Sequence, residues 1–564
     1  MKLIPAVKDL QFHEGALHNR ALKFPDQNVD PRIAALFSHF PTAEDGTPVY
    51  ISAGEENEES YRLYISEHQI TIDAAGAAGA FYALQTLRQI YAQGHIPCLT
   101  IMDQPDFSFR GFYHDITRGK ISTVATIKEL IDRMAYYKLN SLQLYVEHVF
   151  PFKETEDLIG ATGCITAEEL LEIKAYCHAN FIDFIPSLST FGHMYELLQQ
   201  PRYQHLRVLK DYEKVPNFWH ERMKHHTVDP LHPESIALVQ SLIDQYAPLF
   251  DSEYFNICCD ETFDLHSCAQ SPEEVGKIYL DFVQKIISHV SAKGRKIMMW
   301  ADILLEHPET ITALPEDTWF LNWYYWANFQ EMERRISTFA KLGRTQIVCP
   351  GTCSWNRFCE GLAIGEHNIC GMAEIGHRYG AKGVLNTNWG DWGHLSSMEM
   401  VMYGLVLGAE KSWSVHTKVD DRFYDNVNFL LYGCDNGVQM LKAVSAMQDR
   451  ISWRDVADNY FTLRHQIDQP LKPVAQEDIE AILTDYVAIR DTLSQQHWQH
   501  DEFRQEMLIA AEGICLMAQL AARQFGYPLK PVTDAVPWMD KYRDSWIRQN
   551  KINELENVLA VFQA

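Results

Sequence analysis

Residues 254–264, YFNICCDETFD, decide how the chain is read. The first half is an apolar, β-rich run of the kind that makes a fully buried strand, predicted over 254–259. It ends in two adjacent carboxylates, Asp260 and Glu261. Ionised carboxyls avoid the interior unless something uses them. One acid there could be the N-cap of a following helix. The rest of the chain decides between a cap and a site.

Working outward, strand, loop and helix repeat on both sides of this stretch. Strands are predicted at 111–116, 141–146, 181–188, 254–259, 295–301, 318–324, 346–349 and 383–388. Amphipathic helical stretches at 127–137, 167–178, 235–247, 273–291 and 329–342 separate most of them. Eight such units over roughly 300 residues make an α/β chain with a (β/α)8 TIM barrel. Before it, two strands at 61–65 and 69–72, a helix carrying Phe81, Leu84, Leu87 and Ile90, and a strand at 99–102 form a small α+β domain. After about residue 415 the chain turns helical, with long helices predicted at 478–495, 502–524 and 538–562. The expected organisation is a supporting domain at 1–103, a catalytic barrel at 104–415 and a helical C-terminal region at 416–564.

Composition narrows the partners. A net charge of −26 over 564 residues excludes nucleic acid as a natural ligand. No run approaches the ~18 apolar residues of a membrane span. The N-terminus, MKLIPAVKDLQF, lacks the apolar core of a secretory signal. The 12 cysteines sit mostly in apolar runs, as free thiols do in a reducing cytoplasm, the expected location. Cys349, Cys353, Cys359 and Cys370 have irregular spacing for zinc. The acidic run at 55–59 reads as solvated loop, and the C-terminal helices leave room for a homodimer.

A TIM barrel puts its chemistry at the C-terminal ends of its strands. In order, those ends carry Asp115 and Arg118, with Arg110 just before the strand; Glu147 and His148; His193; Asp260 and Glu261; Trp300 and Asp302; Trp323, Tyr324 and Tyr325; Trp355; and Trp389, Asp391 and Trp392. Each has a bland explanation as core or cap, but all eight together point to one mouth. Indoles stack on pyranose faces, and carboxylates and Arg hydrogen-bond hydroxyls. Carboxyls also supply what glycosidic cleavage needs. Neighbouring side chains at a strand end diverge, so Asp260 and Glu261 are expected to act from one region on different groups. That suits substrate assistance: Glu261 protonates the leaving oxygen, and Asp260 holds a 2-acetamido N–H while its carbonyl oxygen attacks the anomeric carbon.

Over most of its length the chain resembles glycoside hydrolase family 20, the β-N-acetylhexosaminidases. FRGFYHDITRG resembles the opening barrel strand, SLSTFGH the family's PGH turn, CCDET its Asp-Glu pair, and MMWAD, LNWYYW and TNWGDW the later strands. The resemblance implies an exo-acting retaining hydrolase that releases terminal β-linked N-acetylhexosamine from an oligosaccharide or glycoconjugate, without a cofactor. It implies Asp260 and Glu261 as the catalytic pair. Arg110 and Asp391 fall on the outer hydroxyls, His193 on the turn, Trp300 and Trp323 on the acetamido walls, and Trp389 on the platform. Tyr325 is preferred for the acetamido carbonyl because it shares a strand face with Trp323, with Tyr324 as the alternative. Glu147 and Trp355 are further substrate-binding candidates, and His148 a supporting one. The family commonly shows His-x-Gly-Gly before Asp-Glu; here Asn256-Ile257-Cys258-Cys259 marks a divergent branch.

Two other readings compete. A non-catalytic sugar-binding barrel would keep the indoles and lose the acid, which is present. A metal-dependent hydrolase would draw on His193, His225, His226, Asp229 or His266, but an inward-facing HxH pair is missing.

Overall fold

The computed structural model describes all residues except 26–28, 55–57, 156, 159–162, 213–214, 225 and 564. The chain opens with β1 (Asp9–Ala16), β2 (Leu22–Lys23), β3 (Thr47–Ala53), β4 (Tyr61–Ile65), β5 (Ile70–Ala74) and β6 (Pro97–Asp103). They form one sheet in the order β1-β6-β4-β5-β3-β2. Leu63, Ile65, Ile70, Ile72, Leu99 and Ile101 are buried, as are Phe81, Leu84, Leu87 and Ile90 of the helix Ala77–Ala92. That alternation is the signal which revealed β4, β5 and β6 in the sequence. The edge strand β1 is mostly exposed and polar, so it carries no such signal.

Eight parallel strands then close a barrel: β7 (Phe109–Asp115), β8 (Ser141–Val146), β9 (Asp183–Leu188), β10 (Tyr254–Asn256), β11 (Lys296–Trp300), β12 (Trp319–Trp323), β13 (Gln346–Cys349) and β14 (Gly383–Asn388). Each overlaps the run where the sequence placed a strand, although β10 ends at Asn256 rather than 259 and β9 starts at Asp183 rather than 181. The closure pairs β14 with β7 over six register positions, from Gly383 opposite Phe109 to Asn388 opposite His114. The barrel interior is aromatic: Phe109, Tyr113, Tyr145, Trp300 and Trp389 pack with Ile185, Met298, Leu321, Ile347 and Leu385. The outer helices include Val124–Tyr136, Ala167–Ala179, Pro233–Tyr246, Pro272–Ser291, Phe329–Lys341 and Leu362–Arg378.

Two expectations change. The single helix predicted at 538–562 is two, Ala535–Gln549 and Leu555–Phe562. Asn550 between them is extended and bridges to Ser122 beside the barrel. An apolar period cannot reveal a break imposed by a contact more than 400 residues distant in sequence.

The second correction concerns Arg110. β7 starts two residues earlier than predicted, which puts Arg110 at the N-terminal end of the strand, opposite the mouth. It is fully buried there. Its Nη1 and Nη2 donate to the Glu59 carboxylate at 2.6 and 2.8 Å, and its Nε donates to the Lys138 carbonyl at 2.9 Å. Glu59 comes from the acidic run expected to be solvated; Glu55 and Glu56 lie outside the described residues. Arg110 therefore fastens the sheet domain to the base of the barrel and does not contact a sugar in the mouth. Beside it, Lys138 Nζ meets Asp103 at 3.0 Å, and Trp413 Nε1 donates to the same carboxylate at 3.0 Å. Removing one partner of a buried ion pair strands the other charge, at a cost of about 3 kcal/mol or more. Glu59→Ala is thus expected to lower the melting temperature by several degrees in a thermal melt, and Glu59→Asp by less.

Candidate active site

β10 is short because its backbone turns out of the ladder immediately before the acids. Cys258, Cys259 and Glu261 have φ of 56°, 65° and 47°, in the left-handed region that favours glycine. This explains why glycines suit this position and shows what the cysteines do in their place. Cys258 Sγ lies 3.4 Å from Ser187 Oγ, Cys259 Sγ donates to the Ile257 carbonyl at 3.3 Å, and Asn256 Oδ1 accepts the Cys258 N–H at 3.0 Å. From the β9 side, Gly192 passes so close that a Cβ there would lie 2.4 Å from the Asp260 carbonyl oxygen. His193 follows with φ 56°. Strain of this kind costs of order 1–3 kcal/mol per residue and gathers at functional sites.

The turn makes the two carboxylates converge, where a plain strand end would have splayed them. His193 Nε2 lies 3.3 Å from Asp260 Oδ2 and 3.2 Å from Glu261 Oε2. Asp302 anchors the turn from behind: its Oδ2 accepts the Glu261 N–H at 2.9 Å. Burial, with Asp260 and Glu261 close by, pushes the Asp302 carboxyl up to about 7.

Beside this triad lies Arg118, buried at the end of β7. Its guanidinium is 3.1 Å from Asp391, 3.4 Å from Asp115 and 3.6 Å from Glu147, and Nη2 reaches His193 Nδ1 at 3.3 Å. Burial opposes ionisation of Glu147, but His148, Arg118 and His193 hold its carboxyl down to about 2. Burial raises Asp391 to about 6 despite Arg118. On His193, burial and Arg118 oppose the second proton, and the two carboxylates outweigh them, raising it to about 10.

Aromatic walls complete an open cavity of about 440 Å³, lined by Asp260, Glu261, Arg118 and Asp391 with Trp300, Trp323, Tyr325, Trp355 and Trp389. Trp389 Nε1 donates to Tyr325 Oη at 2.7 Å, and Tyr325 stacks on Trp323 at 5.1 Å. Arg118 sits 5.2 Å from the Trp389 ring.

The structure thus brings together Asp260, Glu261, His193, Trp300, Trp323, Tyr325, Trp355, Trp389 and Asp391. Glu147 lies underneath, gripping Arg118 and accepting from Tyr145 Oη at 2.7 Å. Tyr324 packs against the Arg335 guanidinium and Trp326, and of the two tyrosines it is Tyr325 that lines the cavity. Arg118 takes the place expected of Arg110. Its signal was present in its position after the strand rather than before it. Met223, Trp326, Asn356, Trp392 and Arg454 also line the cavity and were not singled out as ligands, because loops and a C-terminal helix bring them in. His226 is buried against Tyr195 and Tyr212, Asp229 faces Lys210, and His225 lies outside the described residues.

Residues 107–410 match the glycosyl hydrolase family 20 catalytic domain, and residues 1–104 match domain 2 of that family. The chain belongs to glycosyl hydrolase family 20. Its relatives include the beta-hexosaminidase of Akkermansia muciniphila, 34% identical over 158 residues that cover 24% of this chain and 32% of that protein. Hexosaminidase D of Bos taurus is 27% identical over 202 residues, covering 34% and 55%. The matches span between about a quarter and about half of the length of the first such relatives. The fold is shared with the chitobiase of Flavobacterium johnsoniae, at a TM-score of 0.61 and 16% identity over 97% of this family 20 chain and 98% of that one. The β-N-acetylhexosaminidase of Bacteroides fragilis superposes with a TM-score of 0.59 at 18% identity, over 75% and 94%.

The histidine at the centre yields a pH test. Its folded pKa of about 10 exceeds the unfolded value of ~6.5. Its contribution to stability is therefore complete below ~6.5 and is lost as pH rises toward about 10. Stability measured against pH should fall across that window in wild type. The fall should be shallower in His193→Asn, whose side chain tolerates the left-handed backbone.

Proposed function

We propose that the chain is an exo-acting retaining glycoside hydrolase that removes terminal β-linked N-acetylhexosamine by substrate assistance. The observation that carries this reading is the strained turn, which sets Asp260 and Glu261 side by side in an indole-walled cavity. The family and the hexosaminidase relatives support the same activity.

In the mechanism, the terminal sugar lies on Trp389 with its outer hydroxyls on Asp391 and Arg118. Trp300, Trp323 and Tyr325 enclose the acetamido group. Asp260 accepts the acetamido N–H, and Tyr325 Oη donates to the carbonyl oxygen, which directs that oxygen at the anomeric carbon. The carbonyl oxygen bonds to the anomeric carbon as the glycosidic C–O bond breaks, and Glu261 transfers its proton to the departing oxygen. Water then attacks the same carbon, giving its proton back to Glu261 and reopening the oxazoline ring. Two inversions leave the β configuration unchanged. The 12 free cysteines support work in a reducing compartment such as the cytoplasm.

Glu261→Gln is expected to lose about 10²–10⁴-fold in kcat on alkyl or sugar leaving groups. The loss should be smaller on an activated aryl β-GlcNAc glycoside, whose leaving oxygen needs less protonation. Asp260→Ala should lose most of its rate on both substrates and gain none on the matching β-glucosides. Equal turnover of glucosides and N-acetylglucosaminides by wild type would overturn the substrate-assisted reading. His193, Asp260 and Glu261 also place three donor atoms within 4.8 Å of one another, a spacing that suits a metal ion. A chelator should leave the rate unchanged if the acids act as described, whereas a metal-dependent hydrolase would stop.

A further inference from the structure

Arg454 lines the catalytic cavity although it belongs to the C-terminal helix Trp453–Arg464. It is exposed, with its guanidinium 4.9 Å from the Trp392 ring. Trp392 is held for this contact: its backbone is left-handed at φ 65°, and its carbonyl accepts Trp453 Nε1–H at 2.9 Å. Arg118, which also lines the cavity, and the two cations flanking the lining residue Met223 are paired. Arg118 has its three carboxylates, Arg222 has Glu196 and Glu554 at 2.9 and 2.7 Å, and Lys224 has Glu221 at 3.4 Å. The acids next to Arg454 on its own helix, Asp455 and Asp458, both go to Lys472. Among the described residues, none of the ion pairs includes Arg454. A guanidinium over an indole, with no carboxylate partner among the described residues, at the mouth of a strongly acidic protein is arranged to receive an anion. Trp326 also lines the cavity, with 57% of its surface exposed, and offers a flat face for a second sugar ring.

We propose that Arg454, with Trp326, forms a leaving-group subsite selective for a sugar that bears an anionic group, a carboxylate or a sulfate ester. The proposal rests on the hydrolase reading above and names the substrate class for it. Arg454 would bind the anion through its N–H edge, while the terminal N-acetylhexosamine occupies the inner cavity. The C-terminal helices then contribute to specificity as well as to folding.

The test compares kcat/KM on three disaccharides with a terminal β-GlcNAc, linked to glucose, to glucuronic acid and to glucose 6-sulfate, with an aryl β-GlcNAc glycoside as reference. Wild type should prefer an anionic substrate over the neutral one by about five- to tenfold. The preference should shrink as salt is raised, vanish in Arg454→Ala and be partly retained in Arg454→Lys. A preference for only one anion would identify the group, carboxylate or sulfate. No preference in wild type, or one that survives Arg454→Ala, would overturn the proposal while aryl hydrolysis kept the hydrolase reading intact. Failure to cleave every substrate, the aryl glycoside included, would overturn both.

Discussion

The buried guanidinium of Arg118 is the interaction on which the mouth of this barrel depends. A lone buried cation is costly, and here Asp115 of β7, Glu147 after β8 and Asp391 after β14 share the compensation. His193, after β9, closes the ring through its Nδ1. One charge thereby ties together the ends of four strands. The same carboxylates hold the guanidinium charged against burial, and the guanidinium limits how far burial raises Asp115 and Asp391. The cluster therefore presents a fixed, oriented polar floor to the cavity, where a flexible lysine would offer only a mobile charge.

Strain is the complement of that rigidity. Outside glycine, left-handed residues gather around the mouth: His193, Cys258, Cys259, Glu261, Cys353, Asn356, Trp392 and His394. These conformations persist only where packing over-determines them. At Cys258 and Cys259 thiol contacts help to do this, and at Glu261 Asp302 holds the N–H. At Trp392 the C-terminal region holds the backbone carbonyl. That region also fixes the following loop: Tyr542 Oη donates to the Leu395 carbonyl at 3.0 Å, and Lys120 Nζ, beneath the Trp546 ring, donates to that of Ser396 at 2.7 Å. The helices after the barrel thus hold the loop that follows β14 in shape.

The two ends of the barrel use the same chemistry for different purposes. At the base, Arg110, Lys138, Glu59 and Asp103 form buried pairs that are closed on themselves and fasten the sheet domain in place. At the mouth, Arg118 and its acids form a cluster that lines a cavity. An arginine next to a strand is therefore ambiguous in sequence. Arg110 and Arg118 flank the same strand, and only the end on which each lies separates a tie between domains from a group that lines the cavity.

The barrel was legible because eight apolar runs, separated by amphipathic helices, leave few alternatives once each must bury its faces. The acids and indoles at the strand ends were legible for a related reason: polar groups at the end of a buried strand need a use. Helical period likewise located most of the outer helices. The edge strand β1 escaped because its exposed side chains carry no alternation. The break at Asn550 escaped because its cause is Ser122, distant in sequence. So did the convergence of Asp260 and Glu261, which depends on backbone rotation that cysteines do not advertise as glycines would. By itself the sequence determined the fold class, the acid pair and the aromatic character of the site, since these follow from local pattern and composition. Only the tertiary structure decided which arginine faces the cavity, which tyrosine joins the acids and that a C-terminal helix reaches the mouth, because each depends on which groups the closed barrel brings within a few ångströms.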